Sequence, residues 1–159
     1  MSVVGAANAV SSTILVAFVA PMLIWLWTGR ITWLWLLGGI IAANGATMGI
    51  KSLTAASGAG WALRPAGARD CGAFCDGGAA GGAPGFPSGH ATTVAMFVGG
   101  VWLAVPAEWR VWVAVIGGIW IVVMGWSRMA KRCHTLGQVV AGTVFGLSAA
   151  GAGRLLGWF

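Results

Sequence analysis

Five stretches of this chain, at about 10 to 28, 31 to 50, 88 to 105, 109 to 126 and 138 to 158, are apolar nearly throughout, with Arg110 and Arg154 the only ionised side chains inside them. Each has about the 20 residues that a helix needs to cross a bilayer. A soluble fold of this size needs a polar shell, which nine basic and three acidic residues in 159 cannot supply. Inside hydrocarbon every backbone N–H and C=O must be paired within the structure, and a lipid-facing barrel would alternate apolar and polar residues where these runs are continuous. The expectation is all-α: a polytopic transmembrane helical bundle of about five spans, forming one integral membrane domain over residues 1–159.

Thr28-Gly29-Arg30 and Pro106-Ala107-Glu108 are short turns that make helical hairpins of the first and second spans and of the third and fourth. No basic residue precedes the first span and no cleavage site follows it, so it reads as a permanent span and not a removable signal. Pro21 is expected to kink it. Gly45 with Gly49, and Gly142 with Gly146, have the four-residue spacing that lets helices approach closely, although 27 glycines make such pairs common by chance.

Counting crossings places two polar loops, Lys51 to Phe86 and Ser127 to Gly137, on the same membrane face. They hold Lys51, Arg64, Arg69, Arg128, Lys131 and Arg132, six of the nine basic residues. An electropositive mouth of this kind suits an anionic headgroup. The same cluster also follows from the tendency of basic loops to stay cytoplasmic. With Lys51, Arg64 and Arg128 set aside as ligands, Arg69, Lys131 and Arg132 balance Arg30, Arg110 and Arg154, and charge does not orient the chain.

The two histidines sit at the edges of apolar segments, one in Pro87-Ser88-Gly89-His90 and one six residues after Ser127-Arg128, at His134. Ser88 and Gly89 fall at a helix start, where unpaired N–H groups and the positive end of the dipole form an anion seat. Cleaving a phosphate ester requires a nucleophile, a proton for the leaving oxygen and positive charge on the phosphoryl oxygens. Two imidazoles supply the first two, and arginine forks match phosphate oxygens. The two His and three Cys lack the spacing of a zinc site, so neither metal nor other cofactor is expected.

Arg64-Pro65, Pro87-Ser88-Gly89-His90, and Ser127-Arg128 with His134 together resemble the three-part signature of the type 2 phosphatidic acid phosphatase superfamily: K-x6-R-P, P-S-G-H and S-R-x5-H-x3-D. The resemblance covers roughly residues 45 to 150. It implies an acid phosphatase/vanadium haloperoxidase-like core, with His134 as the nucleophile that forms a phosphohistidine and His90 as the acid that protonates the leaving group. Arg64, Arg128, Ser88 and the Gly89 amide would hold the phosphoryl oxygens. The implied substrate is a membrane lipid phosphate or an isoprenoid (polyprenyl) diphosphate in the bilayer, with no nucleic acid partner. The implied active face is lumenal, periplasmic or extracellular. Five spans are one fewer than the family's usual six, which leaves room for a homo-oligomer.

Two positions depart from the pattern. Ser57 stands where the lysine belongs, and Lys51 lies thirteen residues before Arg64; it is either folded back to the phosphate or simply the end of the second span. Gln138 replaces the aspartate that orients the nucleophile. At i+4 from His134 its amide still accepts a proton from the ring but does not stabilise imidazolium, which implies slower turnover that Gln138→Asp would speed. A weakened or inactive lipid-phosphate-binding protein of the same fold is therefore the alternative. Cys71 and Cys75 are read either as a small disulfide or as free thiols; Cys133 has no motif that would make it a nucleophile. The Gly- and Ala-rich segment from Gly77 to Gly85 is read most simply as a linker, otherwise as a wrap for a headgroup or a mobile lid.

Overall fold

The computed structural model describes residues 2–72 and 75–159, and among these it is helical with no named strand. Six α-helices follow in order: α1 (Val3–Ser12), α2 (Ile14–Thr28), α3 (Thr32–Ala56), α4 (Gly89–Ala104), α5 (Ala107–Ala130) and α6 (Leu136–Leu155). Four stretches are long and apolar enough to span a membrane: Val3–Thr28, Thr32–Ala56, Ala107–Ala130 and Leu136–Leu155.

The distribution of side chains is the reverse of a soluble protein's. Trp27, Leu53, Val122 and Leu155 are exposed, whereas Ser11, Thr47, Ser88, Thr92, Thr93, Ser127, Arg128 and Gln138 are buried. Lipid solvates an apolar exterior, and the polar groups gather where the protein itself can pair them.

α4 has 16 residues, shorter than the expected span, because Ser88 and Pro106 bound it closely. It is the central helix, packed against α2, α3, α5 and α6, with Val94, Ala95 and Met96 fully enclosed. Leu36 and Ile40 of α3 meet it on one side and Met124 of α5 on another. Enclosed by protein, it has no need to match the full bilayer thickness.

Three further expectations need correction. The first span begins at Val3, earlier than expected, and it is interrupted at Thr13, between α1 and α2; Pro21 lies inside α2. The second span runs on to Ala56, so Lys51 is a helical residue and not part of the loop. Of the two glycine pairs, only Gly142 and Gly146 are at a contact: a Cβ there would strike the Ser88 and Thr92 carbonyls of α4, whereas Gly45 and Gly49 face nothing within 4 Å. The hairpin turn holds as read, with Gly29 in the left-handed region (φ 65°) closing α2.

Candidate active site

α5 and α6 are joined by a tight turn, and in it the carbonyl of Arg128 accepts from both Cys133 N (2.9 Å) and His134 N (3.3 Å). This turn sets the spacing of the third motif block. Arg128 and His134 are carried to the point where α4 begins, because Ser88 N donates to the Gln138 carbonyl at 2.9 Å. His90, one residue into α4, then has its Nε2 3.5 Å from Arg128 Nη1. The three elements that hold the histidines and Arg128 are thus tied by backbone.

Arg128 is fully buried. Its Nη1 donates to Ser11 Oγ (3.1 Å) and its Nη2 to the Cys71 carbonyl (2.7 Å), while its Nε has no partner. Arg64 donates from Nε to the Pro84 carbonyl at 3.3 Å, and its buried Nη1 also has no partner. Ser88 Oγ is the third buried polar atom here without one. An unpaired buried donor costs about 1–3 kcal/mol. Three of them around one helix start call for an acceptor, and the chemistry of the donors specifies an oxyanion.

A cavity of about 260 Å³ lies at this place, bordered by Lys51, Arg64, Gly89, His90, Cys71 and Asn44 on its polar side and by Ile14, Phe18 and Met48 on its apolar side. Lys51 Nζ lies 3.8 Å from where a Gly89 Cβ would stand, so the lysine reaches the anion seat from α3. Asn44, Thr47 and Lys51 recur at helical spacing on one face of α3, and Asn44 Nδ2 donates to Thr93 Oγ1 of α4 at 2.7 Å. That polar stripe in an apolar helix is a signal present in the sequence that marks the direction of Lys51. Ser57, at the family position, is exposed at the helix end.

Gln138 is placed by more than His134. Its Nε2 donates to the carbonyls of Trp61 (2.9 Å) and Leu63 (2.8 Å), and its Oε1 accepts from Thr135 N (3.3 Å) in a capping box at the start of α6. This fixes which way the amide points, so Oε1 faces His134 Nδ1 at 3.2 Å. The proton of the neutral ring is then on Nδ1, leaving the Nε2 lone pair free. Burial, and after it the Arg128, Arg64 and Lys51 cations, hold the His134 imidazole down to about 3 against the opposing Gln138 hydrogen bond. Burial also lowers Arg64, though a guanidinium stays charged at neutral pH.

The segment 77–85 is not a free linker. Arg64 N donates to Ala83 O, Gly82 N to Arg64 O, and Gly85 N to Ala62 O, so it folds back along the arginine segment and holds it. The cysteine pairing also differs from the one considered: Cys71 bonds to Cys133, and Cys75 is free. The Arg128 bond to the Cys71 carbonyl brings that loop to the α5–α6 turn, whereas Cys75, with a left-handed backbone (φ 60°), directs its sulfur to Asn8 O at 3.5 Å. Among the described residues no group of three His, Cys, Asp or Glu could hold a metal ion.

A family model described as PAP2 superfamily matches residues 32–158. The chain belongs to the PAP2 superfamily, that of the type 2 phosphatidic acid phosphatases. PAP2 membership supports a phosphatase-type activity, and the all-helical bundle is consistent with the PAP2 membrane fold. Comparison with curated proteins and with solved structures returns no match. Ser11, which lies before the matched PAP2 region, went unnoticed in the sequence: a serine in an apolar helix gives no sign that it meets an arginine more than a hundred residues later.

Proposed function

We propose that this chain is a metal-independent membrane phosphatase that hydrolyses a lipid phosphate or polyprenyl diphosphate through a phosphohistidine on His134. The observation that carries the reading is the set of buried groups without partners, Arg64 Nη1, Arg128 Nε and Ser88 Oγ, beside two buried histidines. The phosphoryl group sits against these donors, the Gly89 amide and Lys51. His134 Nε2 attacks phosphorus while its Nδ1–H stays on Gln138, and the bond from phosphorus to the leaving oxygen breaks as His90 gives that oxygen a proton. Water then attacks the phosphohistidine, His90 takes a proton from it, the P–N bond breaks and inorganic phosphate leaves. The positive charge around the site stabilises the oxyanion that develops in both steps.

Ile14, Phe18 and Met48 give the cavity an apolar wall from α2 and α3, which suits a substrate tail lying in the bilayer. The Cys71–Cys133 bond supports a site on the lumenal, periplasmic or extracellular side, because disulfides persist in oxidising compartments. Ser11 bonding Arg128 supports counting α1 and α2 in one domain with the rest. A neutral Gln138 favours a second reading, a weakened or inactive lipid-phosphate binder. Phosphate release from lysophosphatidate, phosphatidate and isoprenyl diphosphates, measured in EDTA for the wild type and His134→Ala, tests both. Release by the wild type alone supports the phosphatase; equal release by both rejects the phosphohistidine, and binding without release in the wild type supports the binder.

A further inference from the structure

A second cavity, of about 410 Å³, opens among Asn8 of α1, the Gly67–Asp70 segment and the end of α5, and it shares no lining residue with the first. Arg69, Lys131 and Arg132 line it, three cations for which the proposed reaction has no use. Lys131 is almost wholly buried, and its Nζ donates to the Asp70 carbonyl at 2.6 Å, which leaves it two further N–H donors. Arg132 lies along Gly67, its Nη1 3.4 Å from where a Cβ would be, so the bare backbone makes room for the guanidinium. Asp70 is the one carboxylate in the lining, and its Oδ1 already accepts from Gly78 N at 3.0 Å. Asn8, on the α1 side of the lining, carries no charge to offset the cations. Arg69 and Arg132 are exposed at the rim and Lys131 is buried behind them, so three cations against one engaged carboxylate, in a cavity large enough for a phosphate group, suit an incoming anion.

We propose that this cavity is a second oxyanion site that takes a phosphate-type anion, supplied either as the headgroup of an anionic membrane lipid or as free phosphate. It stands whether or not the proposed reaction is right. Arg69 and Arg132 would present guanidinium forks to the free phosphate oxygens, with Lys131 as a buried point charge.

The test uses the full chain purified in a neutral detergent, with radiolabelled inorganic phosphate in equilibrium dialysis and short-chain phosphatidylglycerol in native mass spectrometry; phosphatidylcholine is the control. Lys51→Met/Arg64→Met first disables the catalytic pocket, and saturable binding of one of the two anions is expected to remain. Adding Arg69→Gln/Arg132→Gln to that background is expected to weaken it about ten-fold or more, and Arg69→Lys/Arg132→Lys to recover part of the loss. Asn8→Asp, which places a carboxylate in the cavity without touching the arginines, is expected to weaken binding too. Loss confined to phosphatidylglycerol assigns the site to a lipid headgroup, and loss confined to phosphate assigns it to the free anion. No saturable binding in the Lys51→Met/Arg64→Met chain, or binding that Arg69→Gln/Arg132→Gln and Asn8→Asp leave unchanged, overturns the proposal.

Discussion

Arg64, which borders the pocket, and Arg128, whose Nη1 lies beside the pocket residue His90, come from two differently built regions. Arg128 stands at the end of a 24-residue helix, and a turn closed on its own carbonyl sets its distance to His134. Arg64 stands in a long excursion between α3 and α4 whose described residues form one turn of 3-10 helix, Gly60–Ala62, and two isolated bridges. The excursion is held from outside, by the Cys71–Cys133 bond, by Arg128 on the Cys71 carbonyl, and by Gln138 on the carbonyls of Trp61 and Leu63. A helix end carries its geometry in local sequence. A loop borrows its geometry from what it touches, and every one of these holds comes from the last turn of α5, the turn that follows it or the first turn of α6.

If that contrast is right, the two arginines are unequal when removed. Arg128→Ala is expected to lower turnover about 100- to 1,000-fold, as loss of an oxyanion donor does. It should also destabilise the protein by about 1–3 kcal/mol, since the Cys71 carbonyl is left unpaired. Arg64→Ala is expected to lower turnover with little effect on the unfolding midpoint. Phosphate release and thermal unfolding on the two variants check this, and equal destabilisation would erase the distinction.

The disulfide sharpens the comparison next. Its sequence separation is 62 residues, and in the chain-entropy account opening such a loop costs about 4 kcal/mol. Cys133→Ser, or reduction of the wild type, is expected to lower the midpoint accordingly and to raise KM by releasing the Arg64 segment, while Cys75→Ser does neither. Denaturant unfolding with and without reductant measures the difference.

Gln138→Asp acts at the joint between the regions and has the smallest expected effect. It replaces a donor to two carbonyls by an acceptor, at a cost of about 1–3 kcal/mol. It also favours imidazolium at His134. In the wild type the folded ring, held to about 3, resists protonation that the unfolded ring accepts near 6.5. Stability from this group is therefore present above 6.5 and falls by about 1.4 kcal/mol per pH unit between 6.5 and 3. The variant, with its raised His134, is expected to show a shallower fall over that window when unfolding is followed against pH.

The same contrast explains what could be read before the structure. Ser88, His90, Arg128 and His134 were legible because each lies within a few residues of a helix end and the chemistry constrains local spacing. Lys51 was legible as a candidate, and its helical register with Asn44 and Thr47 decides its direction. The partner of Cys71 was not legible, because nearness in sequence favoured Cys75 while the contact is made across the fold. Gln138 was read as a substitute for aspartate, since nothing near it in sequence shows the two carbonyls of Trp61 and Leu63 that its amide fits. Ser11 was invisible for the same reason.

The central claim is that both regions close on one phosphoryl group so that His134 can take it. Rapid quenching of the enzyme with a lipid phosphate labelled in its phosphate, followed by peptide mapping, tests this most directly. The expected result is an acid-labile, alkali-stable label on His134 that is absent from His134→Ala; turnover with no trapped label, or a label on His90, would contradict it.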